Sequence, residues 1–176
     1  MGRYIKIISR TLIICFILLA VGIGCCPRKR LYPKSIFKSK MLNDSLDKFL
    51  LGSIDIPEAN YPTVTYVCVG RDYDGIPVVV LVSSPGHHMW SMVDSSIVQI
   101  GNVGIYQGKF VRVFCAPSLR GLLQEKEINK LSLDKEEHLR IERTPRFLRE
   151  GGYQRLIIYK LYSPGQIKIA RKTDNV

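Results

Sequence analysis

The residues best equipped for chemistry fall in one short stretch, Ser83-Ser84-Pro85-Gly86-His87-His88-Met89-Trp90. It holds two of the three histidines, the single tryptophan and two hydroxyls, just after an apolar run. Neutral imidazole is a common metal ligand, so one chemistry is metal-assisted hydrolysis through His87 and His88. Neighbouring residues of a strand face opposite ways, so both can hold one ion only where the backbone turns between them. A zinc site needs at least one further ligand. Asp94, Asp72, Asp74 and His138 are the candidates, and no spacing selects among them. A second chemistry would use Ser83 or Ser84 as nucleophile with His87 or His88 and Asp94. It lacks the G-x-S-x-G elbow, and short-range coincidences of these types are common. The plainer reading, a surface loop turned by Pro85-Gly86 with Trp90 packed on the domain, is favoured.

Other chemical motifs are weaker. Asp72-Tyr73-Asp74-Gly75 resembles the start of a calcium loop, but the acidic ligands that should follow are missing. A hairpin turn explains it better. There is no H-E-x-x-H, no phosphate-binding glycine loop and no G-x-G-x-x-G. These gaps lower the expectation of an enzyme, and no cofactor is implied. Of the five cysteines, Cys68 and Cys115 lie in apolar, strand-like runs. In an exported protein they allow a disulfide, and two buried free thiols remain equally open. No C-x-x-C or Cys/His zinc spacing occurs.

The elements that must position these residues read as an α+β domain. Ser35 is placed to cap a helix over 36–51 whose apolar residues (Ile36, Phe37, Met41, Leu42, Leu46, Phe49 and Leu50) fall mostly on one face, with Gly52 as its stop. That face packs on the domain or lies on a membrane, the former being commoner. Strand runs follow at Thr63–Gly70, Pro77–Ser83, Ser96–Ile100, Val103–Tyr106 and Lys109–Cys115. Asp72–Gly75 and Gly101-Asn102 are read as turns. In Lys109–Cys115, Val111, Val113 and Cys115 share one face, and Phe110, Arg112 and Phe114 the other. Ser118–Leu131 reads as a mid-chain helix weakened by Gly121. Leu139 and Ile141 alternate with Arg140 and Glu142 as in an exposed or edge strand. Arg155–Tyr162 and Gln166–Lys172, joined by Ser163-Pro164-Gly165, form a hairpin. Short connections favour antiparallel pairing. The expectation is a mainly antiparallel sheet, or a small barrel-like domain, of about six or seven strands with an N-terminal and a mid-chain helix.

Charge divides the chain unevenly. Its formal net charge is +11, yet residues 1–24 hold three basic residues and no acids, and residues 25–40 six more and no acids. Residues 41–176 therefore carry 17 basic and 15 acidic side chains, a net +2. The basic surplus belongs to a membrane edge, attracted to anionic headgroups, and is weak support for nucleic-acid binding, which is not expected. Thr11–Gly24 is an uncharged run of 14 residues. As a helix it covers about 21 Å, short of a hydrocarbon core of about 30 Å, so it suits a signal-peptide core better than a span. Val21-Gly22-Ile23-Gly24-Cys25 resembles the lipobox of bacterial lipoproteins, with Gly22 where that class usually carries an aliphatic residue. The resemblance implies lipidation of Cys25 and loss of the leader ahead of it.

The organisation expected is a signal peptide over 1–24, a lipidated cysteine and basic tether over 25–34, and one domain over 35–176. The competing arrangement is a single-pass anchor with an uncleaved leader, in which Lys6 and Arg10 snorkel to the surface. Asp44-Ser45-Leu46 resembles the three-residue O-glycosylation motif of Bacteroidota envelope proteins. In lipoproteins of that group the surface-export signal is acidic just after the cysteine. Here that segment is basic, so the resemblance implies a periplasm-facing protein, on the outer membrane in preference to the inner. The function expected is binding or assembly with an envelope protein partner, with metal-assisted hydrolysis by the His87-His88 loop as the alternative.

Overall fold

Three β-hairpins laid edge to edge form one open, six-stranded sheet. A computed structural model describes residues 31–52, 63–84, 96–142, 155–163 and 166–174. The chain divides into two units, Met1–Leu31 and Tyr32–Val176, and the description concerns the second. The leader, Cys25, the segment 53–62, the His87-His88 loop with Trp90 and Asp94, and Thr144-Pro145 all lie outside the described residues. No helix among the described residues is long and apolar enough to cross a membrane.

The central hairpin pairs β1 (Val64–Arg71) with β2 (Pro77–Ser84). On one side lies the hairpin of β3 (Val98–Tyr106) and β4 (Lys109–Cys115), and on the other that of β5 (Arg155–Ser163) and β6 (Gln166–Asp174). The order is β3-β4-β1-β2-β5-β6. Every pairing is antiparallel except β1 with β4, which run parallel. An α+β domain built on a mainly antiparallel sheet is thus what forms, with six strands. The barrel-like alternative is not: β3 and β6 stand at opposite ends of the order and do not pair.

The continuous apolar runs of β1 and β2 make sense in the middle of the sheet. Val67 lies in register with Leu81 on one side and Val113 on the other, and Cys68 with Val80 and Phe114. All of these are buried, so both faces of the central strands are covered. On the Val67 face sits α1 (Lys40–Leu51), whose Leu42, Leu46, Phe49 and Leu50 are buried. Arg155 ties β5 to this helix by donating from Nη1 to the Phe49 carbonyl (3.0 Å) and by lying 5.1 Å from the Phe49 ring centre.

The helix begins four residues later than its apolar pattern suggests. Ser39, not Ser35, is the N-cap, and its Oγ accepts from the Leu42 N–H. Residues 36–38 are drawn into an isolated antiparallel bridge, Phe37 with Leu123. Lys38 N–H donates to the Leu122 carbonyl and Gln124 N–H to that of Ile36, both at 2.9 Å. The carboxamide of Asn43 closes the arrangement. Its Oδ1 accepts from Ile36 N (3.0 Å) and Phe37 N (2.9 Å), and its Nδ2 donates to the carbonyls of Phe37 (2.7 Å) and Ser39 (3.0 Å). Ile36 and Phe37 are buried as the pattern requires, but through this clamp rather than through a helix.

The same bridge breaks the expected helix over 118–131. A 3-10 helix covers Pro117–Leu122, Leu123 is extended (φ −98°, ψ 154°), and a single turn, α2 (Glu125–Ile128), follows. Pairing with Phe37 requires extended backbone at Leu123, so no continuous helix can pass through it. The strand expected around Leu139 and Ile141 is instead α3 (Lys135–Glu142). Asp134 and Glu137 exchange hydrogen bonds across its first turn, each at 2.7 Å, in a capping box.

Gly101-Asn102 is not a hairpin turn. β3 runs through it, with a register shift between Ile100 and Gly104 and Gly101 at φ +66°. This is a bulge, which bends a strand without reversing it. The reversal comes at Gln107-Gly108, both with positive φ (50° and 73°), as a two-residue turn joining antiparallel strands requires. Gly104 is small for a different reason: a Cβ there would stand 2.2 Å from the backbone nitrogen of Ser132.

Candidate functional site

The β3 bulge, Arg112 of β4 and the start of α3 line an open cleft with a volume of about 470 Å³. Strand alternation builds its floor. Phe110, Arg112 and Phe114 project from the face of β4 opposite to Val111 and Val113, and Arg112 lies in register with Tyr66 of β1. Tyr66 and Phe114 stack with ring centres 6.3 Å apart. Of this row, Arg112 lines the cleft. Gln99, Asn102 and Val103 of β3 form one wall. Ser132, Asp134, Lys135 and His138 form the other.

The polar groups of the walls are largely engaged. Gln99 donates from Nε2 to the Gly101 carbonyl (2.9 Å), and Asp134 accepts from the Glu137 N–H at Oδ1. His138 donates its backbone N–H to the Asp134 carbonyl (3.0 Å). Arg112 differs. Its Nε is buried and has no hydrogen-bond partner. Arg112 and Lys135 make the cleft cationic, with Asp134 as the acid at its edge. Such an arrangement can bind and orient a ligand.

Of the residues singled out from sequence, His138 alone lines this cleft. Cys25, His87, His88 and Asp94 lie outside the described residues, and Ser84 is described only in its backbone, as the partner of Val64. Among the described residues no group of three or more His, Cys, Asp or Glu is placed to hold a metal. Ser83 is fully buried in β2, with Oγ lacking a hydrogen-bond partner. It faces the sheet interior, out of a substrate's reach. Ser45 is half-buried on α1, and the neighbouring Leu46 of its motif is in the core.

Asp72 and Asp74 do the work of a turn. Asp72 Oδ1 accepts from Asp74 N (3.0 Å) and Ile76 N (2.9 Å), Arg71 Nη1 donates to the Gly75 carbonyl, and Gly75 has φ +75°. Asp72 Oδ2 meets Lys160 Nζ of β5 at 2.6 Å, which holds the Asp72 carboxyl below its ordinary range. Cys68 and Cys115 are both buried free thiols. They occupy adjacent parallel strands one register step apart, Cys68 opposite Phe114 and Cys115 opposite Val69. Alternation sends their side chains to opposite faces of the sheet, and the bridge left open by the sequence is not made.

Arg112 had a signal in the sequence, a lone cation between Phe110 and Phe114 on one side of a strand. Its cleft did not, because the opposing wall comes from a segment whose pattern reads as a strand. Comparison with protein-family models, curated proteins and solved structures finds no match to this chain.

Proposed function

We propose that this chain is a lipid-anchored protein of the bacterial cell envelope, attached through Cys25 and facing the periplasm, whose domain acts by binding. The anchor rests on the lipobox-like Val21-Gly22-Ile23-Gly24-Cys25 and on a basic surplus concentrated in residues 1–40. The observation that carries the binding role is the cationic cleft lined by Arg112 and Lys135. Multiple acyl chains hold a protein on a bilayer where one is marginal, at about 0.8 kcal/mol per buried CH2.

The anchor is tested by feeding cells a clickable palmitate. The chain incorporates label and fractionates with membrane, and Cys25→Ala loses both. Label retained by Cys25→Ala would sink the proposal. The intact mass of the membrane-extracted protein separates it from a single-pass form, since cleavage ahead of Cys25 removes 24 residues.

A further inference from the structure

α1 has two faces, and the core takes up the inner one. Leu42, Leu46, Phe49 and Leu50 are buried. Met41, Asp44, Lys48 and Leu51 recur at helical spacing on the opposite side, and all four are exposed. Met41 is 47% exposed and Leu51 87%, so this side carries apolar groups that the domain does not bury. Ahead of the helix Tyr32 is 52% exposed, and Lys34 and Lys38 are exposed as well. Lys40 is paired with Asp44 at 2.7 Å, and the other acid of the helix, Asp47, is partly buried. Lys34, Lys38 and Lys48 therefore set the sign of this surface.

We propose that the domain rests on an anionic bilayer by this side, from Tyr32 through the outer face of α1. Met41 and Leu51 stand ten residues apart, about 15 Å along the helix, with charged side chains between them. A protein partner wants a contiguous apolar centre from which lysine is depleted. A bilayer takes apolar side chains one at a time, and lets lysine stems lie along its surface with their ammonium groups among the phosphates. A tyrosine suits the same boundary, its ring in the apolar part and its hydroxyl in water. The approach to this surface is cationic throughout, since residues 25–40 hold six basic residues and no acids. The inference rests on the anchor proposed above, which brings a bilayer to this end of the chain, and adds which side of the domain faces it.

The test is NMR of the full chain, 15N-labelled and set in lipid discs that carry a gadolinium chelate on some headgroups. The chelate broadens amides close to the bilayer surface. One set of discs mixes phosphatidylglycerol with phosphatidylcholine, and the other is phosphatidylcholine alone. Tyr73 and Lys168 serve as references, because they lie toward the strand ends opposite to Arg155, the residue that meets α1. In anionic discs the amides of Lys38, Met41, Lys48 and Leu51 lose about threefold more intensity than the references. The contrast fades in neutral discs and in high salt. Lys38→Gln with Lys48→Gln lowers docking about tenfold or more. Should that variant fail to fold, the neutral discs read the same dependence on charge in the native chain. With chain and disc eluting together, the orientation alone is overturned by uniform broadening, by references that broaden first, or by equal contrast in neutral discs. A chain that elutes apart from the discs sinks the anchor, and this orientation with it.

Discussion

Asp72 secures the central hairpin by two separable means, the turn hydrogen bonds at Oδ1 and the ion pair at Oδ2. The hydrogen bond from Lys160 is the main cause of the lowered Asp72 pKa, and the same bond raises that of Lys160. A depressed carboxylate stabilises the fold above its unfolded pKa and loses that contribution as pH falls through the folded value. A raised lysine contributes below its unfolded pKa and loses it as pH climbs through the folded one. The pair is therefore at full strength between about pH 4 and 10. Asp72→Asn keeps an acceptor for the turn and removes the pair, so its destabilisation in urea titrations is seen at pH 7 and shrinks in acid. Asp72→Ala costs about 1 kcal/mol more, the size of a typical hydrogen-bond loss. Burial, with Cys115 nearby, pushes the Cys68 thiol up to about 12, and burial pushes Cys115 to about 11. Thiolate is the reactive form, so maleimide followed by peptide mass spectrometry leaves both unmodified in the native protein and labels both in denaturant. A Cys68–Cys115 bridge in that experiment would contradict the sheet register.

At the scale of elements, the entry of the chain into the domain hangs on Asn43. Its carboxamide makes four hydrogen bonds with the chain at 36–39. Asn43→Ala leaves part-buried backbone groups unpaired and costs about 2–4 kcal/mol by urea unfolding. Asn43→Asp does not rescue it, because a carboxylate cannot donate to the Phe37 and Ser39 carbonyls. Gly104→Ala tests the passage of residues 131–132 across β3. With backbone atoms as the obstacle it costs about 1–3 kcal/mol or more, where the exposed Gly121→Ala does not. These contacts also explain which elements were legible. The hairpin of β5 and β6 was, because a local turn joins two patterned runs. The start of α1 was not, since Ile36 and Phe37 are apolar at helical spacing and yet are buried through pairing with Leu123. α3 carried a readable Asp134-x-x-Glu137 capping box, but the alternation of Leu139 and Ile141 masked it. Arg112 was placed on a strand face with Phe110 and Phe114 but not singled out, and its cleft was not legible, because its walls meet only in the fold.

Across the whole molecule, stability is graded from the middle of the sheet outward. β1 and β2 are covered on both faces, whereas β6 is an edge strand with Ile169 61% exposed. Amide exchange is accordingly slowest in β1 and β2 and fastest in β6, and the reverse order would mean the core is misplaced. The hairpins of β1 with β2 and of β5 with β6 were readable, whereas β3 was read as two strands about a turn; the parallel contact of β1 with β4 was not readable, because no turn specifies a register between strands so far apart in the chain. The Asn43 clamp has one more consequence, for range. Lys34 N–H donates to Glu127 Oε2 at 2.7 Å just ahead of the clamp, so any slack in the tether ends there. If Cys25 is held in the bilayer as proposed, nine peptide links separate it from Lys34, and fully extended they span at most about 32 Å. The domain is then on a short leash. A partner in the same membrane is met at an effective concentration of about millimolar, enough for a weak contact to persist, and one beyond the leash is not met at all.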